Sequence, residues 1–244
     1  MRRSAPAPAA GFVVELVGVP GSGKTRLART LAARLEGQGL AVAQPQRRFY
    51  TSVAPAVRLS RKALACLSVG AAAPGHTVRL AAGLARSTQE GPADMASRLV
   101  QLLVAEAVAR EAASRPGVSI VDEGVVQGLW SVGLRGNALP VLHLFDGVAP
   151  APAADLLVVL QVPAEVALDR LSARPSRHSR IQLIPEEDRL AEMKRGMDVL
   201  EDVVEWWSSR PDTAGKVCVL SHPEEDSDER DQLLDQICAA ARRS

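Results

Sequence analysis

Apolar residues follow two rhythms along this chain. Short unbroken runs, FVVELV at 12–17, VSIV at 118–121, LLVVLQV at 156–162 and VCVL at 217–220, have the length and β-branched content of strands buried on both faces. Between them apolar positions recur at helical spacing. Leu27, Leu31 and Leu35 make one stripe over 24–36, stopped by Gly37 and Gly39. Leu99, Leu102, Leu103 and Val104 give a broad inner face to a helix over 93–114, which Arg115-Pro116-Gly117 closes. Pro163 opens a helix with Val166, Ala167 and Leu171 facing inward. Pro185 starts a long helix with acids on its first turn, and Leu190, Met193, Met197, Leu200, Val204 and Trp207 recur along it. A last helix is expected over 230–242.

Other stretches are less regular. Residues 40–43 form a short apolar run, read as a second strand, which Pro45 ends; Arg47-Arg48-Phe49-Tyr50 then falls in a loop. Residues 52–92 are rich in Ala, Leu and Arg, with breaks at Gly70, Pro74-Gly75 and Gly91-Pro92; two helices, over 54–69 and 76–88, are expected. A short helix or turn follows Leu139-Pro140, a basic loop spans 174–180 and an acidic loop spans 224–229. There is no internal repeat. Strands alternating with helices predict an α/β domain with a mostly parallel sheet covered on both faces.

Composition narrows the class. A chain of 244 residues suits one such domain, and 47% hydrophobic content with a net charge of +1 gives no global field for nucleic acid or an anionic membrane. Cys66, Cys218 and Cys238 lie far apart, as idle thiols of a reducing compartment do, so a cytoplasmic protein without a zinc site is expected. Residues 1–10 are expected as a disordered tail and 11–244 as a single domain. Two arginines precede the first apolar run, as in a signal peptide. That run carries Glu15, however, and leads directly into the glycine-rich loop described next. No apolar stretch is long enough to span a bilayer.

The chemistry starts at Gly18-Val19-Pro20-Gly21-Ser22-Gly23-Lys24-Thr25, which fits G-x-x-x-x-G-K-[ST] at each fixed position between a strand and a helix. Glycines let successive N–H groups converge on an anion, and the helix dipole adds to that field. Gly18, Gly21, Ser22, Gly23, Lys24 and Thr25 are therefore candidate nucleoside-triphosphate contacts, with Thr25 also a candidate Mg²⁺ ligand. Lysine occurs only at 24, 62, 194 and 216, so its use here stands out. A second site is the apolar strand ending at Asp122-Glu123. In an open parallel sheet, ligands gather at the carboxyl ends of strands. Asp122 can there hold Mg²⁺ through water or take a proton from an acceptor hydroxyl. Of two adjacent acids, one is expected to face the site and the other to turn aside. A third group is Arg170, Arg174, Arg177 and Arg180, four guanidinium groups in eleven residues, suited to charge spread over phosphoryl oxygens.

These features together resemble the nucleoside and nucleotide kinases among P-loop proteins, especially thymidylate kinase-like enzymes. The stretch DLLVVLQVPAEVALDRLSARPSRHSR is similar to that family's fourth strand, helix and arginine-bearing lid, and VCVLSHPEEDSDERDQLLDQI to its last strand, nucleobase-facing loop and last helix. The resemblance implies a three-layer P-loop fold with a five-stranded parallel sheet in the order 2-3-1-4-5. It also implies a lid over about 174–185 and a helical acceptor-side region over about 50–115. ATP and Mg²⁺ are the implied cofactors. Arg174, Arg177 and Arg180 join Lys24 and Asp122 as implied catalytic groups, with Arg170 and Pro223 near the nucleotide. Arg47 sits roughly where the family places an arginine on the acceptor phosphate. The family carries Asp-Arg or Glu-Arg at the end of its middle strand, whereas this chain has Asp122-Glu123-Gly124. Glu123 and Gln127 are then candidates for binding the acceptor.

The resemblance implies a kinase acting on a nucleoside, a nucleotide or a related metabolite, with no nucleic-acid or membrane partner; a homodimer is left open. Two other classes stand beside it. One is an ATP-hydrolysing module using Asp122-Glu123 as a Walker B pair, although the chain has no Asn-Lys-x-Asp motif and no convincing L-S-G-G-Q signature. The other is a non-catalytic nucleotide-binding protein.

Overall fold

The strand that leads into the glycine-rich loop lies at the centre of the sheet. The computed structural model describes residues 11–50, 54–145, 154–174, 179–221 and 228–243, with Tyr50 and Arg180 described by backbone alone. Five strands, β1 (Phe12–Gly18), β2 (Val42–Ala43), β3 (Val118–Val121), β4 (Leu156–Leu160) and β5 (Val217–Leu220), pair in the order β2-β3-β1-β4-β5, parallel throughout. This is the order expected from the sequence. Parallel pairing requires crossovers, which are supplied by α1 (Lys24–Gly37), α2 (Arg47–Tyr50), α3 (Pro55–Ala72), α4 (Pro74–Arg86), α5 (Pro92–Ser114), α6 (Val125–Gly133), α7 (Leu139–Leu142), α8 (Ala164–Ser172) and α9 (Arg189–Ser209); α10 (Asp228–Ala241) follows the last strand.

Strand alternation divides the core in two. Val14 and Leu16 of β1, with Ile120, Leu156, Val158 and Leu160, pack against Leu27, Leu31 and Leu35 of α1 and Leu233, Leu234 and Ile237 of α10. Val13 and Val17, with Val121, Leu157 and Val159, pack against the other layer, where α5, α6, α8 and α9 contribute Leu102, Leu129, Ala167 and Val203 among others. The α1 stripe read from the sequence is buried in full. Each such leucine contributes about 1.5–3 kcal/mol on burial, which fixes α1 and the loop before it against the sheet.

Three expectations change. Residues 47–50 form the short helix α2, not a loop. The helix expected from Pro185 begins at Arg189, because 3₁₀ turns at Arg180–Leu183 and Glu186–Asp188 precede it; Leu190 then lies at the surface. Helix α6 was not foreseen. All nine of its residues, VVQGLWSVG, are buried, so it has no polar face and hence no helical period to read. Residues 1–10, Arg177 and Pro223, and with them most of the basic loop and the acidic loop, lie outside the described residues.

Candidate functional site

At the end of β1 the chain turns through Gly21 and Gly23, whose φ angles of 91° and 99° favour glycine. At Gly21 a Cβ would also collide with the Ala167 carbonyl of α8, so the loop lies directly on that helix. Ser22 is fully buried and its hydroxyl has no hydrogen-bond partner among the described residues. Buried polar atoms are nearly always paired. An unpaired hydroxyl at the N-terminus of a helix therefore fits an anionic ligand.

Lys24 Nζ donates to the carbonyls of Gly18, at 2.5 Å, and Val19, at 3.2 Å. Burial pushes this ammonium down to about 8, against the pull of Glu123 and Asp122, while Arg174 adds to the depression. Thr25 Oγ1 donates to Asp122 Oδ2 at 3.1 Å. The Nε2 group of Gln46, just before α2, donates to the other oxygen, Oδ1. Both oxygens of Asp122 are thus engaged. A hydroxyl and a carboxylate at this separation suit Mg²⁺, which takes one or two protein oxygens and fills its shell with phosphate and water. Among the described residues no group of three or more His, Cys, Asp or Glu is placed to hold a metal ion.

Asp122 and Glu123 follow the last residue of β3, so strand alternation no longer separates them. Both line one cleft of about 340 Å³, contrary to the expectation that one turns aside. Glu123 is exposed there and makes no hydrogen bond or ion pair among the described residues. Beyond the acids, the cleft is walled by Arg98 and Gln101 of α5, Gln127, Trp130 and Ser131 of α6, and Leu134. Arg98 is 6% exposed; it reaches Asp94 through Nε at 3.4 Å, Gln101 at 2.6 Å and the Ser131 hydroxyl. A larger apolar groove of about 660 Å³ runs between α9 and the ends of β4 and β5. Its lining holds none of Lys24, Thr25, Asp122 or Glu123, all of which line the smaller cleft, so the chemistry is assigned there.

The other sequence candidates are placed as follows. Arg174 lines the cleft near Lys24, with Ser179 and Ile181 beyond it. Gln182 Nε2 holds the Leu171 carbonyl at 2.8 Å, tying the segment after 178 back to α8. Arg180 is described by backbone only. Arg170 lies on α8 and Arg47 is exposed on α2, both outside the cleft lining. Gln127 lines the cleft, and its Oε1 accepts the Gly18 N–H at 3.2 Å.

Sequence reasoning missed Gln46, Arg98, Gln101 and Ser131. Gln46 carried a readable signal, since it follows β2 at the carboxyl edge of the sheet. Of the other three, Arg98 and Gln101 are neighbours on α5, and they meet Ser131 only through packing of α5 on α6. Also missed was the part played by Glu15, an acid within an otherwise apolar strand, whose carboxylate accepts the backbone N–H of Val126 at 2.7 Å and of Gln127 at 3.2 Å.

A central strand feeding a glycine-rich loop, with a hydroxyl–carboxylate pair across it, defines a P-loop nucleoside-triphosphate-binding protein of kinase-like topology. The chain belongs to the AAA domain family, whose model matches residues 13–200. Among solved structures, one of deoxyadenosine kinase from M. mycoides with bound dCTP matches at 11% identity, covering 94% of this chain and 100% of that one, with a TM-score of 0.48. No curated protein matches. Among the described residues, no helix is long and apolar enough to cross a membrane.

Proposed function

We propose that this chain is a small-molecule kinase that transfers the γ-phosphoryl group of ATP to an acceptor of the nucleoside, nucleotide or related metabolite class. The observation that carries this reading is the extent of the cleft. Its lining does not stop at Asp122 and Glu123 but also includes Arg98, Gln101, Ser131 and Trp130, and we assign this part to a second substrate. The thymidylate kinase-like lid sequence supports it further.

In this reading the phosphate loop and Lys24 hold the triphosphate. Thr25 and Asp122 hold Mg²⁺, which when bound neutralises charge on the phosphate oxygens. Arg174 stabilises charge on the transferring group. Asp122 is bonded at both oxygens, which suits a metal-shell acid. Glu123, in the cleft with no hydrogen bond or ion pair among the described residues, takes the proton from the acceptor hydroxyl as its oxygen attacks the γ-phosphorus and the bond to the β–γ bridging oxygen breaks, releasing ADP. When the acceptor is itself a phosphate, no such proton transfer is required.

An ATP-consumption screen over nucleosides, nucleotides and related metabolites, set against the rate without acceptor, tests the assignment. A large acceptor-dependent rate supports it. The rival reading, an ATP-hydrolysing module, is favoured by one observation, the exposed Glu123 beside Asp122, where it can polarise water. Rapid acceptor-independent hydrolysis that Glu123→Gln abolishes would establish that rival.

A further inference from the structure

Glu15 lies in the middle of the central strand, flanked in register by Val121 of β3 and Leu157 of β4. It is 4% exposed. A carboxylate at such a place normally has a cation beside it. Here its hydrogen bonds come from the backbone at the start of α6, from Val126 at 2.7 Å and Gln127 at 3.2 Å. The first N–H groups of a helix have no partner within it, and the helix dipole favours a negative charge there. Glu15 therefore caps α6 from another element, 111 residues away in sequence. The fit is close on both sides: a Cβ at Gly124 would collide with the Glu15 carboxyl group.

The contacts continue beyond the cap. Gln127, whose N–H binds Glu15, returns its side chain to β1 and accepts the N–H of Gly18 at 3.2 Å. Gly18 opens the phosphate loop, and α6 begins immediately after Asp122-Glu123-Gly124. One closed ring of contacts thus joins Glu15, the start of α6, Gln127 and the first residue of the loop.

We infer that Glu15 is a positioning residue, whose carboxylate anchors the start of α6 and, through Gln127, sets the phosphate loop at its working distance from Asp122 and Glu123. The inference rests on the kinase reading of the cleft. A cap needed only for folding would require no link to Gly18.

The clamp depends on charge, because a carboxylate accepts N–H bonds about twice as strongly as a neutral group does. Burial pushes the Glu15 carboxyl up to about 7, with the backbone bonds from Gln127, Val126 and Val125 opposing the rise. The surrounding elements supply no ion pair. Helix α6 has no charged side chain. Helix α5 carries Asp94, Arg98, Glu106, Arg110 and Glu111, and the strand ends carry Asp122, Glu123 and Asp155. No hydrogen bond or ion pair joins any of these to Glu15 among the described residues. The clamp therefore tightens as pH rises through neutrality.

The test compares MgATP binding by calorimetry for wild type and Glu15→Gln from pH 6 to 8. Titration of Lys24 and of the nucleotide is common to both and cancels in the ratio. The affinities should agree at pH 6, where wild-type Glu15 is protonated, and diverge by about fivefold or more in favour of wild type at pH 8. In a Gln127→Leu background the pH-dependent difference should vanish, since the link to Gly18 is cut. A ratio that stays constant across pH, or a divergence that survives Gln127→Leu, overturns the inference. Failure of wild type to bind MgATP at any pH overturns the kinase reading instead. Melting curves of each variant confirm that folded protein is compared.

Discussion

Thr25 and Asp122, 97 residues apart in sequence, meet through a 3.1 Å hydrogen bond from the threonine hydroxyl to the carboxylate. Register explains the meeting. β1 and β3 are neighbours in the sheet, so the loop after one and the acid after the other open at the same edge. Gln46, from the end of β2 in the next position, fixes the second carboxylate oxygen. The loops after three adjacent strands thus each contribute one group to a single polar corner, the one proposed to hold Mg²⁺.

The first prediction concerns that corner. Gln46→Leu removes the amide that orients Asp122 but touches neither loop nor nucleotide. Nucleotide affinity without Mg²⁺ should be unchanged, while the Mg²⁺-dependent gain falls about 10–100-fold, the usual effect of losing a group that orients a ligand. Titrations of ATP with and without Mg²⁺ decide this. Equal loss in both would mean that Gln46 only supports the fold.

The second prediction concerns Lys24. Its ammonium, held at about 8 by burial, must be protonated to meet the triphosphate. MgATP affinity should therefore weaken as pH rises above about 8, with proton uptake on binding detectable in buffers of different ionisation enthalpy. Lys24→Met should bind weakly with no such uptake. The folded-state value lies below that of the unfolded chain, so charging Lys24 costs stability at neutral pH and Lys24→Met should melt higher. A variant that binds poorly because it is unfolded would fail that last check.

Much of this arrangement was legible in the sequence, for definite reasons. Strands buried on both faces are continuous apolar runs and the phosphate loop is constrained at each of its fixed positions, so the strands and the glycine-rich turn could be read directly, while the sheet order came with the resemblance to P-loop kinases. Helix α6 could not, because burial on all sides erases the alternation that reveals a helix. The far wall of the cleft was equally hidden: Arg98 and Ser131 are 33 residues apart and become neighbours only when α5 packs on α6. Of Asp122 and Glu123 one was expected to turn aside, yet both line the one cleft, since they follow the end of β3 at Val121 where strand alternation stops.

The third prediction concerns stability and Glu15. Its pKa, about 7 when folded against 4.5 as a free group, means that the native state keeps a proton which the unfolded chain releases between those values. Stability must then fall as pH rises across that window, by a total of about 3 kcal/mol above pH 7. Glu15→Gln keeps a carbonyl oxygen for the two N–H groups and removes the ionisation. The variant should match wild type near pH 4.5 and exceed it in melting temperature at pH 8. Gly124→Ala, which forces a methyl group against the same carboxyl, should be destabilising by about 1–3 kcal/mol. Parallel stability curves for wild type and Glu15→Gln would show that Glu15 ionises without cost.

The last prediction separates Asp122 from Glu123. Asp122 has both oxygens bonded, to Thr25 and Gln46, which suits the metal-shell role proposed for it. Asp122→Asn should weaken MgATP binding and raise the Mg²⁺ concentration needed for turnover. Glu123 lines the same cleft with no hydrogen bond or ion pair among the described residues, which suits a base for an acceptor hydroxyl. Glu123→Gln should leave MgATP affinity near wild type while lowering kcat for a hydroxyl acceptor by about 10²–10⁴-fold, the range for a lost general base. For an acceptor that is itself a phosphate the loss should be small, because that oxygen has no proton to give up. Steady-state kinetics with one acceptor of each kind, alongside binding by calorimetry, distinguish these outcomes. If Glu123→Gln lowers MgATP affinity as much as Asp122→Asn does, the two acids share the metal shell, and the base must be sought elsewhere along the cleft.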